Sequence, residues 1–337
     1  MSGAAPGPVV IMGAGSVGCF VGGRLLAAGA ELHFVGRPRV LQALREHGLT
    51  VTDLEGGRSE AAAGTLQLHD TLPALPAPTS LVLLCVKSGS TAQAAAEMAV
   101  ALPAGTLVLS LQNGVTNAEV GAAAAPALTW LPGMVPYNIA ELGPGRFHRG
   151  TTGALAAQDH PLLQAWLPLF QAAGLRLKLH ADLRPVQWGK LLLNLNNPVN
   201  ALSGLPLRAE LLDRDCRRVF AALQLEALAA LQAAGITPAQ MTALPPHRLP
   251  LVLKLPNWLF TRVAARMLRI DEKARSSMAD DLALGRPTEV DAICGAVVRL
   301  AQVHGTKAPR CARMVELLGA PRPVALGGRA LRRQLGL

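Results

Sequence analysis

A chain of 337 residues is longer than one hydrophobic core usually organises, so two domains are expected. Half of the residues are apolar but only 3% are aromatic, and no uninterrupted apolar run reaches the ~18 residues that a bilayer span requires. The formal charge of +10 comes from 32 Lys and Arg spread along the chain, without a basic cluster or aromatics for base stacking, and so points to anionic small ligands rather than nucleic acid.

The N-terminal "MSGAAPGPVVIMGAG" has no basic n-region and its apolar run enters a glycine motif, which predicts a cytoplasmic protein. Val9 to Met12 reads as a short apolar strand. Gly13-Ala14-Gly15-Ser16-Val17-Gly18 then follows the pattern G-x-G-x-x-G, a helix runs to Ala28 with Gly29 as its stop, and a second strand spans Glu31 to Val35. In that context the first glycine makes the tight turn, the second lets the backbone approach a pyrophosphate, and the third lets helix and strand pack closely. The helix start offers amide donors and a positive dipole end to the phosphates. The second strand ends Val35-Gly36-Arg37, with no acid before Glu46 to hold a ribose 2′-hydroxyl. Arg37, with Arg39 nearby, suits a 2′-phosphate instead, so NADPH is the expected cofactor.

Two further strands, at 80–88 ("SLVLLCVKS") and 106–114, deliver Lys87 and Asn113 to the carboxyl edge of a parallel sheet, where a doubly wound fold binds its ligand. Read alone, Lys87 equally suits a solvated strand end and Asn113-Gly114 a simple turn. The sheet is expected to continue through 131–138, 145–157 and 175–180, with a helix at 161–173. Strand signals stop after Asp182. The expected architecture is an α/β Rossmann domain (1–182), doubly wound and mostly parallel, followed by an all-α domain (183–337).

In the second half, helical periodicity covers 208–234, ended by Gly235, and segments near 247–269, 288–304 and 309–318. The segment "WGKLLLNLNNPVNALSG" (188–204) sets Lys190 and asparagines among leucines. On a helix, Lys190, Asn194 and Asn197 occupy i, i+4 and i+7, one polar stripe on an otherwise apolar element. Asn194 bonding to neighbouring helices, and Pro198 ending the helix with Asn197 as its stop, would also account for the amides. Lys190 is harder to explain: between Trp188 and leucines it needs an acidic partner or an anionic ligand. Glu289, predicted in the first turn of the helix after Pro287-Thr288, is the candidate partner, although an acid there also complements a helix dipole. Ser276 and Ser277 read equally well as ordinary helix hydroxyls. The five cysteines lack any C-x-x-C and read as reduced core thiols; the eight histidines show no ligand spacing, so no metal is expected.

Taken together, Gly13-x-Gly15-x-x-Gly18, Arg37, Lys87 in "CVKS", Asn113 in "LQNG", Lys190 in "WGKLLLN", Ser277 in "SSM" and Glu289 in "PTEVD" resemble the ketopantoate reductase family over nearly the whole chain. The resemblance implies a Rossmann domain joined to a helical domain, with the substrate in the cleft between them. It implies NADPH-dependent reduction of 2-dehydropantoate to (R)-pantoate, on the route to pantothenate and coenzyme A. Carried over, it makes Lys190 the proton donor as hydride reaches C2, gives Asn194 and Ser277 the substrate's hydroxyl and carboxylate, sets Asn113 beside nicotinamide and substrate, and has Glu289 contact the cofactor and influence Lys190. The family often has a second Asn eight residues after the lysine; here that position is Pro198, with Asn197 one residue earlier, which puts the substrate contact in question.

Three other readings fit the same residues: a reductase of this architecture acting on another small 2-keto acid, a relative of the hydroxy-acid dehydrogenases with a Rossmann and a helical domain, and a non-catalytic NADPH sensor. Lys190 argues against the sensor. A monomer or a homodimer suits the chain.

Overall fold

The computed structural model describes residues 6–73, 81–265, 267–268, 271–321 and 323–337. The chain forms two compact units, Met1–Leu183 and Arg184–Leu337.

In the first unit the strands are β1 (Val9–Met12), β2 (Leu32–Val35), β3 (Leu49–Asp53), β4 (Arg58–Ala61), β5 (Gln67–His69), β6 (Leu81–Leu84), β7 (Leu107–Ser110), β8 (Thr129–Met134), β9 (Ile139–Gly143), β10 (Arg146–Arg149), β11 (Leu155–Gln158) and β12 (Leu177–His180). The helices are α1 (Ser16–Ala27), α2 (Pro38–His47), α3 (Thr91–Ala101), α4 (Asn117–Ala124), α5 (Pro161–Gln164) and α6 (Leu167–Ala172). Eight strands form one sheet in the order β12-β11-β8-β7-β6-β1-β2-β5. Its pairings from β5 through β8 are parallel, and β11 joins β8 antiparallel. The chain lays β2 and β5 to one side of β1 and β6, β7 and β8 to the other, so the strand order reverses at β1, the topological switch point where such sheets bind ligands.

Every residue of β1, β2, β6 and β7 is buried. Val9 and Ile11 pack into one layer with Phe34, Leu81 and Leu83, and Val10 and Met12 into the other with Val82, Leu84 and Met98. That double burial is why these strands read as continuous Val, Ile and Leu runs rather than alternating ones.

A second sheet, in the order β4-β3-β10-β9, departs from the expected single sheet. The run "RFHR" belongs to it as β10, and β3, β4 and β9 were not anticipated. Their strands are short and half-polar, as in "RSEA", so neither periodicity nor composition marks them. Helix α1 packs between the two sheets. A Cβ on Gly22 would sit 2.6 Å from the Phe34 ring, and one on Gly23 would sit 2.9 Å from Val51. The predicted helix at 161–173 is two short ones, with Pro168 opening the second. Ser80, the first residue of one predicted strand, lies outside the described residues.

The second unit consists, among the described residues, of helices and turns: α7 (Arg184–Asn194), α8 (Asn196–Ser203), α9 (Leu207–Leu212), α10 (Arg214–Ala233), α11 (Leu249–Leu253), α12 (Asn257–Val263), α13 (Ser277–Ala283), α14 (Ala296–Val303), α15 (Pro309–Gly319) and α16 (Gly328–Gln334). Helix α10 is the central one, packed against α8, α9, α11, α14, α15 and α16. The single helix expected over 208–234 is divided at Asp213, whose Oδ1 accepts the amides of Asp215 and Cys216 at 2.7 and 3.0 Å and so caps α10. The segment expected to be helical near 247–269 forms α11 and α12, with Arg266 and Arg269 outside the described residues. The basic C-terminal run forms α16, anchored by buried Leu331 and an Arg332–Asp215 ion pair at 3.0 Å. Among the described residues no helix is long and apolar enough to cross a membrane.

Candidate active site

The glycine turn is shaped by close backbone approach. Gly13 has φ +113°, and a Cβ there would lie 2.5 Å from the Val86 nitrogen; a Cβ on Gly18 would lie 2.2 Å from the Gly13 carbonyl oxygen. Side chains are therefore sterically excluded at the turn and at the helix–strand contact. Gly15 is different: a Cβ there meets nothing within 4 Å, leaving its face of the loop open. Ser16, Val17 and Gly18 open α1, where amides have no intrahelical acceptor, and the helix has neither a side-chain cap nor an acid in its first turn. This donor-rich, acid-free terminus fits a pyrophosphate.

Beyond β2, Arg37 is exposed and stands just before Pro38, the first residue of α2, while Arg39 pairs with Glu141 at 3.8 Å. At the neighbouring strand ends the predicted positions lie past the strands themselves. Lys87, half-buried, precedes a single helical turn, and Asn113 follows β7 by three residues. The Asn113 carbonyl oxygen accepts from Ser88 Oγ and Asn117 Nδ2, both at 2.7 Å. Buried Gln112 donates to the Val86 carbonyl at 2.9 Å and to Thr91 Oγ1 at 2.8 Å, and it accepts from Ser110 Oγ at 2.9 Å. Thr91 Oγ1 in turn donates to Asn117 Oδ1 at 3.1 Å. This network ties the carboxyl ends of β6 and β7 together. Sequence reasoning missed Gln112, Thr91 and Asn117, whose only signal was polarity in an apolar setting.

In the helical unit, α7 buries Trp188, Leu191 and Leu192, and Leu195 beyond it is buried too, while Lys190, Leu193, Asn194 and Asn197 are half-buried. The expected stripe is interrupted: Lys190 and Asn194 lie one turn apart on one helix, but Asn197 lies beyond a turn. Helix α7 ends at Asn194, Leu195 forms a turn, and α8 starts at Asn196. Pro198 has no amide to offer the Asn194 carbonyl, and its ring would collide with that carbonyl in a regular helix. The break thus falls upstream of the proline, and Pro198 sits in the first turn of α8 instead of ending a helix. Gln224 Nε2 donates to the Leu192 carbonyl at 3.1 Å near the break. Gly189 allows α7 to approach residue 239 closely: a Cβ there would lie 2.4 Å from the Ala239 carbonyl oxygen.

Lys190 is half-buried by surface yet densely surrounded. That desolvation lowers its pKa from the ordinary lysine value to about 8, with the Glu289 carboxylate pulling it back up. Glu289 stands just ahead of the helix, not in its first turn; its carbonyl accepts the Ile293 amide at 3.2 Å, and a π-helical turn, Asp291–Gly295, follows. Ser277 is exposed as the first residue of α13, whereas Ser276 is buried and caps that helix through the Ala279 amide at 3.1 Å. Within the helical unit the structure therefore relates Lys190 electrostatically to Glu289 and places Asn194 one turn after Lys190 on α7, with Asn197 beyond the turn in α8.

A dinucleotide-type sheet with an open glycine loop, and a helical unit carrying a lysine of lowered pKa beside a carboxylate, define an oxidoreductase. The chain matches ketopantoate reductase PanE/ApbA over residues 9–161 and the C-terminal part of that family over residues 182–322, and it belongs to the ketopantoate reductase family. It is 29% identical over 317 residues to the 2-dehydropantoate 2-reductase of Halobacterium salinarum, covering 92% of this chain and 97% of that one. A PanE/ApbA family ketopantoate reductase from Ralstonia eutropha JMP134 superposes with a TM-score of 0.75 at 26% identity, covering 98% and 100% of the two chains. D-mandelate dehydrogenase with NADH and anilino(oxo)acetate, at 20% identity and a TM-score of 0.75 over 98% and 99%, shares the fold. The protein is thus an NAD(P)H-dependent oxidoreductase acting on a keto/CH–OH group.

Proposed function

We propose that this enzyme reduces 2-dehydropantoate to (R)-pantoate with NADPH, using Lys190 as the proton donor. The observation that carries the reading is Lys190 itself: a desolvated lysine under the influence of Glu289, with a pKa of about 8, holds a proton at neutral pH yet releases it far more readily than an ordinary lysine. Gly13–Gly18 would hold the pyrophosphate through the amides at the start of α1, and Arg37 the 2′-phosphate through charged hydrogen bonds. NADPH, when bound, supplies hydride to the keto carbon. Lys190 gives its ammonium proton to the carbonyl oxygen, where negative charge develops, and Glu289 favours the protonated lysine between turnovers. Asn194, Asn197 and Ser277 would bind the substrate's hydroxyl and carboxylate, and Asn113 and Lys87 would line the nicotinamide end.

A second reading has its own support. The turn at Leu195 and the placement of Asn197-Pro198 alter the amide spacing after the lysine, which favours a different small 2-keto acid as substrate. Following NADPH oxidation with 2-dehydropantoate, pyruvate or 2-oxoisovalerate, with NADH as control, decides between them. Lys190→Ala is expected to lower turnover by ~10²–10⁴-fold while NADPH still binds. Turnover of another keto acid alone would sink the ketopantoate assignment, and unchanged turnover in the mutant would sink Lys190 as donor.

A further inference from the structure

Glu210 lies on α9, outside every role assigned above, and none of its surface is exposed. Its Oε2 accepts Asn196 Nδ2 at 3.0 Å and Asn200 Nδ2 at 3.2 Å. Those two asparagines lie on α8, immediately beyond the turn that follows Asn194. Asn200 also donates to the Leu205 carbonyl at 2.9 Å, and its Oδ1 accepts the backbone amide of Ser276 at 2.9 Å. Ser276 Oγ in turn donates to the Asn197 carbonyl at 3.3 Å and caps α13, the helix that begins with Ser277. One buried carboxyl thus joins, through two amides, the segment holding Asn194 and Asn197 to the segment holding Ser277.

We infer that Glu210 is a positioning residue for the keto-acid site: through Asn196 and Asn200 it sets the α7–α8 turn and the start of α13 relative to each other. The inference rests on the substrate roles proposed above for Asn194, Asn197 and Ser277. The physical need is specific. Pro198 deprives the turn of a backbone hydrogen bond, so side chains must hold it, and a buried acceptor shared by two amides does so without ladder bonds. Burial raises the Glu210 carboxyl to about 8 despite the two amide donors, so the neutral acid is the main form at neutral pH. A glutamine, which offers the same carbonyl acceptor, should therefore substitute for it.

The test measures kcat, KM for 2-dehydropantoate and the Kd for NADPH in the whole enzyme. Glu210→Ala is expected to raise KM and lower kcat/KM by about tenfold or more, because small misplacement of binding groups is costly, while the NADPH Kd changes less than about twofold. Glu210→Gln should restore kcat/KM to within about threefold of the unmodified enzyme. If Glu210→Ala does not fold, Asn196→Ala removes one donor at the less buried end and should raise KM in the same direction. Wild-type kinetics in the folded Glu210→Ala or Asn196→Ala protein would overturn the positioning role, as would Glu210→Gln behaving like Glu210→Ala. No turnover in the unmodified enzyme would instead overturn the substrate assignment and the positioning role with it.

Discussion

Lys190 shows how one residue's chemistry is set by two opposing influences. Desolvation favours the neutral amine, Glu289 favours the ammonium, and the balance leaves a pKa of about 8. The proton is held less tightly in the folded chain than in the unfolded one, so this group adds stability as pH rises from about 8 toward the ordinary lysine value. Activity runs the other way, since the donor must be protonated. The kcat/KM for keto-acid reduction is therefore expected to be level below about pH 8 and to fall above it, about tenfold per pH unit at the limit. Glu289→Gln removes the charge that raises the pKa, so the alkaline limb should move to lower pH. A pH–rate profile checks this, and a limb that stays in place would show that the Glu289 charge does not act on the lysine.

At the scale of elements, close approach decides more than propensity. Gly189 sits mid-helix, where glycine is unfavourable, because the Ala239 carbonyl occupies the space of a side chain. Gly189→Ala should destabilise the protein by about 1–3 kcal/mol, as overpacking against backbone does, and lower kcat/KM through the displaced Lys190. Chemical denaturation and steady-state kinetics on that variant provide the measurement, and unchanged values in both would refute the account. Asn197 falls beyond α7, in α8, but the placement of Lys190 and Asn194 one turn apart on α7 was legible from helical spacing. The break at Leu195 was not, because the proline that causes it stands three residues later and acts on the Asn194 carbonyl. The cap at Asp213 carried a readable signal, an Asp followed by a helical run, but apolar periodicity on both sides concealed it.

For the whole molecule, cofactor binding should appear as stability. At one hundred times its Kd, NADPH is expected to add ~2.7 kcal/mol to the unit that binds it, raising the apparent Tm by about 5 °C or more. NADH at the same concentration should add less, and Arg37→Ala should erase the difference, as measured by thermal melts with each nucleotide. Equal shifts in the wild type would refute the 2′-phosphate role of Arg37. The double-buried strands, the glycine loop and the helical character of the second half follow from the sequence alone, because hydrophobic period, glycine placement and turn chemistry are local. Local pattern did not reveal the second sheet around α1, the polar network binding β6 to β7, the linkage of Glu210 to Ser276, or the value of the Lys190 pKa. Each depends on groups distant in sequence: Val51 against Gly23, Gln112 against Val86, Asn200 against Ser276, and Glu289 against Lys190. Burial and charge act through space, so only the tertiary structure could decide them.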